Sequence, residues 1–251
     1  MTKTVSKRLL IVALASAVGA GFRAWNRNSR SGRREHVEEK IASETRGADE
    51  SSDTAGATER YLLYFIVPLW VIAGSLDYFR HRRTKIETTS GTLESAIHAL
   101  MMTEAGIPLL LGLVFEVNAG VILLMIAAFF THAATAIWDV AFAVERRKVT
   151  PNEQHIHSFL EVLPFCAVSF VICLHWKQFT SLFGLDGEKP RFALRKKTPP
   201  LPTSYLAGFL GAVAINAAAY GEEIMRCFRA QQQGLTGVDT PKAAQELYAN
   251  S

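Results

Sequence analysis

Residues 119–143 read AGVILLMIAAFFTHAATAIWDVAFA, and this stretch decides the fold. It is apolar on every face and longer than the roughly 20 residues needed to cross a bilayer. Two of its side chains do not belong in hydrocarbon: His132 and Asp139, seven residues apart and so on one helix face. A titratable group inside a membrane span is costly and marks function by default. The stretch therefore predicts both a membrane helix and a polar site that the helix carries.

Working outward, the same pattern recurs. Tyr61 to Phe79, Ile97 to Phe115 and Ser158 to Trp176 are further apolar runs of spanning length, and Tyr205 to Tyr220 is a shorter one rich in Gly and Ala. Ala207, Gly208, Gly211 and Ala212 suit close helix packing. The expected fold is all-α, a polytopic transmembrane helix bundle of four to six spans. A soluble bundle with a very apolar core does not accommodate four such runs. The bulk composition agrees: 251 residues, 49% hydrophobic and 20% charged, with a mean hydropathy of +0.14.

Four segments are expected. Residues 1–22 start with Lys3, Lys7 and Arg8 and then run apolar to Phe22, which reads as a signal peptide or signal anchor, with a transit peptide as a third reading. Residues 23–60 carry eight Lys/Arg and eight Asp/Glu with few aromatics, the composition of a disordered polar linker. Residues 61–225 are expected to form the transmembrane bundle with a metal site, and residues 226–251 a polar tail. An inner or plasma membrane is the expected location, with an organelle membrane as the alternative. The net charge of +4 and the lack of a basic stripe with interleaved aromatics give no sign of a nucleic-acid partner. Cys166, Cys173 and Cys227 are odd in number and lack CxxC spacing, so packing is their expected role.

The polar residues of the spans pair up. Asp77 and His81, Glu94 and His98, Glu153 and His157 are each four apart, which puts each pair on one helix face. Thr150-Pro151-Asn152-Glu153 is a capping box with proline at the first helical position, so a helix starting there carries His155, His157 and Glu161 towards the bilayer. His155 points away from His157. Threading the chain through the membrane brings these groups to the half of the bundle near one surface. The Glu116-Val117-Asn118 turn lies at the other, with His175 and Trp176 as an interfacial anchor. If Tyr205–Tyr220 also spans, Asn216, Tyr220 and Glu223 return to the polar side.

Imidazoles and carboxylates together suit iron, manganese or zinc. Eight groups on four helices are enough for two metals and for partners that orient the ligands. Pro108 cannot donate to the carbonyl of Glu104, which places a kink and a free acceptor beside a buried acid. Glu104 lies round the helix from the Glu94–His98 face and is read as a bridging carboxylate or one that orients a ligand. Each pair also has a plainer reading. Asp77 and His81 can be interfacial groups at a helix end, Glu94 a first-turn acid favoured by the helix dipole, and Glu153 a cap alone. His132 and Asp139 can be a structural hydrogen bond between helices.

In residue types, Asp77-x3-His81, Glu94-x3-His98, His132-x6-Asp139 and His157-x3-Glu161 together resemble the membrane di-metal oxygenases and desaturases. The likeness covers residues 77–161. The adjacent His-His pairs of that class are missing here, as is the ExxH spacing of ferritin-type bundles. The resemblance implies two irons, with manganese or zinc as alternatives, that activate dioxygen and oxidise a lipid or other apolar substrate by hydroxylation or desaturation. His81, His98, His132 and His157 would ligate, with Glu94, Asp139 and Glu161 as further ligands or bridges and Asp77 as ligand or orienting group. No Gly-rich dinucleotide fingerprint occurs, so electrons are expected from a separate donor protein, and membrane lipids are the other expected partner. The competing expectations are a metal or proton transporter, a zinc hydrolase, a b-type haem held by His98 and His132, and a structural membrane protein.

Overall fold

The structure, a computed structural model, describes residues 41–185 and 187–240, the side chains from residue 51 onward. The leader expected over residues 1–22, the first part of the linker and the end of the tail lie outside these. The chain divides into two units, residues 1–52 and 53–251. Of the first unit the described part is helical.

One continuous helical stretch is formed by α1 (Ile41–Tyr61), a π-helical turn (Leu62–Ile66) and α2 (Val67–Thr84). It is followed by α3 (Thr92–Val114), α4 (Ala119–Val144), α5 (Pro151–Leu174), the short α6 (Trp176–Ser181) and α7 (Thr203–Gln232). Among the described residues there is no β-strand, and five helices are long and apolar enough to cross a membrane: Ser51–Thr84, Thr92–Val114, Ala119–Val144, Pro151–Leu174 and Thr203–Gln232. The protein is an all-α polytopic membrane bundle.

Helix is found over Ile41–Tyr61 where composition predicts a linker. Four Ala and three Glu favour helix there, against ten Ser, Thr, Gly and Asp that do not, so propensity alone does not account for it. The last span is also longer than Tyr205–Tyr220, because α7 continues through its polar end to Gln232. Residues beyond it fold back, with the Gly237 and Asp239 amides donating to the Thr88 carbonyl at 2.9 and 3.1 Å. The expected polar tail therefore begins within a helix and packs against the α2–α3 connection.

Local signals set the helix ends. The Thr150–Glu153 capping box is formed in both directions. Asn118 caps α4 by accepting from the Val121 amide at 3.0 Å. Gly91, at φ 73°, starts α3 in a conformation that disfavours side chains, and a Cβ there would meet Thr236 Cγ2 at 2.5 Å.

The spans close into a ring in which neighbours in contact run α2, α5, α4, α3, α7 and back to α2. The last helix thus stands between the first two. Near the α3–α4 turn the interior is apolar, built around Val121, Ile122, Met125, Leu163, Leu113 and Phe209. The outer surface is apolar as well: Ile137 is 73% exposed, while Asp139, two residues on, is 2% exposed. Charges inside and isoleucine outside invert the distribution of a water-soluble protein, as a hydrocarbon solvent requires.

Candidate metal centre

At the end of the bundle remote from the α3–α4 turn, all five spans send polar side chains into the ring. On α2, Asp77 and His81 sit one turn apart with Oδ2 and Nε2 at 3.4 Å. The other oxygen of Asp77 lies 3.1 Å from His157 Nε2 on α5. His81 Nδ1 faces Glu223 Oε2 of α7 at 3.1 Å, and the second Glu223 oxygen faces His98 Nδ1 of α3 at 3.7 Å. His98 Nε2 then reaches Asp139 Oδ1 of α4 at 3.1 Å. The result is an alternating chain, His157–Asp77–His81–Glu223–His98–Asp139, which passes through every wall of the ring.

Its two central imidazoles stack face to face, 4.3 Å between centroids and 15° from parallel. His81, Glu223, His98 and Asp139 are buried to 4% exposure or less. Tyr220 closes one side, its hydroxyl donating to the Gly74 carbonyl at 3.0 Å and lying 3.4 Å from Asp77 Oδ2. Asn216 accepts from Ser75 at 3.1 Å one turn further in.

The short distances do not amount to hydrogen bonds throughout. His81 Nε2, both nitrogens of His98, Asp139 Oδ1 and Glu223 Oε1 are buried without a hydrogen-bond partner of adequate geometry. A neutral imidazole also has one N–H to offer, whereas His81 and His98 each face carboxylates with both nitrogens. Protonating both would stack two cations in a low-dielectric interior, which is unfavourable. Metal ions held by these atoms would remove both conflicts. Nitrogen and oxygen ligands bound at about 2.0–2.2 Å stand roughly 3 Å apart around one ion, the spacing seen here. Asp77, His81 and His98 form one group able to converge on an ion, His81, Glu153 and His157 a second, and Glu94, His98 and Asp139 a third.

Glu94 and Glu153 have a different attachment. Arg147, 3% exposed, donates from Nε to both Glu94 oxygens at 2.9 and 3.1 Å and from Nη2 to Oε1, while its Nη1 lies 2.5 Å from Glu153 Oε1. Burial by itself would lower the Arg147 pKa. Its hydrogen bonds and attraction to Glu94 and then Glu153 outweigh this and raise it, so the guanidinium stays charged. Glu94 thus borders the chain and is held by Arg147.

His132 and Glu104 form a separate pair deeper in the bundle, Nδ1 to Oε2 at 3.8 Å, with Thr135 donating to the other Glu104 oxygen at 2.9 Å. Glu161 is exposed on α5 and stands outside the chain. His155 is exposed with its ring against Phe159. His175 caps α5 at the opposite end, where burial and then the Lys197 ammonium hold its pKa below the ordinary histidine value.

Five predicted residues, Asp77, His81, His98, Asp139 and His157, therefore come together. Glu94 adjoins them; Glu104 and His132 lie apart with each other. Glu223 and Arg147 are the members that spacing did not put forward as site residues. Glu223 could have been found from the Asn216, Tyr220, Glu223 face of the last span, and Arg147 carries no local signal beyond its place in a basic loop.

Two cavities adjoin these groups. One of about 120 Å³ is bordered by Asp77, His98, Asp139 and His157 on one side and by apolar residues such as Met101, Met102 and Val213 on the other. A larger one of about 380 Å³ fills the apolar half of the ring. Trp70 and His132 border both.

No protein-family model matches this chain, and no curated protein or solved structure matches it either.

Proposed function

We propose that the protein is a membrane metalloenzyme whose alternating imidazole–carboxylate chain holds two iron ions, which activate dioxygen and oxidise an apolar substrate drawn from the surrounding membrane. The observation that carries this reading is the set of buried, unsatisfied nitrogen and oxygen atoms of His81, His98, Asp139 and Glu223, facing one another at ligand spacing. Three carboxylates and three imidazoles offer a mixed donor set suited to iron. The 120 Å³ cavity gives an apolar group a place beside them.

The overall reaction balances as RH + O₂ + 2e⁻ + 2H⁺ → ROH + H₂O. A C–H bond is oxidised, dioxygen is reduced, and one oxygen atom leaves as water. The chain of ligands runs from helix to helix near one surface of the bundle, not along the membrane normal, which favours a reaction centre over a transport path. An inner or plasma membrane is the proposed location.

Elemental analysis and a visible spectrum of detergent-purified protein test the proposal. The expected result is about two equivalents of iron per chain and no Soret band. A Soret band would replace the centre with haem, and zinc would turn the chemistry to hydrolysis. Protein from iron-supplied cells that holds no metal would overturn the reading.

A further inference from the structure

Three departures from regular helix surround the 380 Å³ cavity: the π-helical turn Leu62–Ile66, Pro108 within α3 and Pro164 within α5. π-Turns are rare and concentrate at functional sites, and an internal proline costs a backbone hydrogen bond. Three separate walls accept such costs around one space. Its volume falls in the ~300–1,000 Å³ range of small-molecule sites.

The wall is apolar except at the two ends. Glu59, His175 and Lys197 stand at the end near the α3–α4 turn; Glu104, His132 and Trp70 stand at the inner end. At that inner end, Trp70 Nε1, His132 Nδ1 and Glu104 Oε2 are buried with no hydrogen-bond partner, and His132 is 6% exposed. One is an N–H donor, one a carboxyl oxygen and one an imidazole nitrogen. An alkyl chain would offer none of them a hydrogen-bond partner. A ring bearing hydroxyl groups on a hydrophobic tail would satisfy them.

Position also restricts the ligand. None of Asp77, His81, His98, Asp139, His157 or Glu223 borders this cavity. A molecule held there does not touch these six residues, and Trp70 and His132, which border both cavities, stand between it and them. The connection is short: His132 and Asp139 share α4, seven residues and therefore roughly 10.5 Å apart along its axis.

We infer that the large cavity binds a lipid-soluble hydroquinone, which donates electrons to the metal centre. This rests on the proposed metal chemistry for the use of the electrons; the binding site stands on the cavity alone. Both O–H bonds of the hydroquinone break, its two protons pass to the Glu104–His132 pair on the way to the departing water, and its two electrons enter the metals. The balance is QH₂ + RH + O₂ → Q + ROH + H₂O. No separate reductase protein is then required.

The test uses decyl-benzoquinone and its hydroquinone with the full chain, iron-loaded and chelator-treated, in a background where Trp70 is the sole tryptophan. Saturable quenching of Trp70 fluorescence is expected in both preparations. It should weaken at least tenfold in Ala128→Phe and in Ala167→Phe, two cavity-filling variants whose iron content and unfolding temperature check that they fold. At saturating hydroquinone, Glu104→Gln should oxidise it under air at least tenfold more slowly. Absence of saturable quenching, equal affinity for decan-1-ol, or indifference to both filling variants would overturn the inference. Iron without quinone binding sinks this inference alone. Quinone binding without iron sinks the electron delivery together with the metal reading, so the two failures are told apart.

Discussion

Glu223 shows how one residue organises the centre. Each of its oxygens faces the Nδ1 of a different imidazole, His81 and His98, along one edge of the stack. Removing this carboxylate leaves the Nδ1 atoms of both histidines without the acid they share. Glu223→Ala is expected to lower bound iron at least tenfold, as is His98→Ala, while His175→Ala, at the far end of the bundle, leaves metal content unchanged; metal analysis of the three purified variants checks this. The pairs Asp77–His81 and Glu94–His98 are legible because a spacing of four defines a helix face. Glu223 was not counted because the apolar run that announces its helix stops at Tyr220, and an acid three residues past such a run reads as interfacial. His132 was legible as a buried polar group, but spacing does not say that the structure pairs it with Glu104 instead of Asp139. Depth within a span is set by neighbouring helices, which a single strand of sequence does not display.

At the scale of elements, the α4–α5 connection is more than a basic loop. Arg147 projects from it into the ring and joins Glu94 of α3 to Glu153 in the first turn of α5, so two helices and the loop share one guanidinium. The capping box places Glu153 with one oxygen near the Thr150 amide at 3.4 Å and the other towards Arg147, which gives this acid a cap and an ion pair together. Arg147→Met would leave two buried carboxylates without their cation. The expected cost is about 3–5 kcal/mol, visible as a fall in unfolding temperature in detergent, while Lys148→Met beside it, an exposed charge, changes stability little. Spacing marked the helix start at Pro151 correctly. It could not mark the partner of Glu94, since 53 residues separate that acid from Arg147.

For the whole molecule, the apolar runs announced the class of fold directly, because a surface with Ile137 and Ile215 at 73% and 70% exposure requires hydrocarbon around it. The ring order was not legible, as it depends on which helix faces meet. Threading five spans puts the α4–α5 loop and the α3–α4 turn at opposite surfaces. Cysteines introduced at Lys148 and at Glu116 in a background lacking the native three should therefore react with an impermeant thiol reagent from opposite sides of sealed vesicles; labelling of both from one side would refute this topology. The position of α7 between α2 and α3 has a consequence for biogenesis. The ribosome delivers α2 to α5 first, and these can pack on one another as an open arc. The arc lacks both its closing wall and the carboxylate between His81 and His98. A nascent chain halted before Thr203 would therefore insert with its ring open and its polar chain broken at the Glu223 position, and arrival of the last span becomes the final checkpoint of assembly.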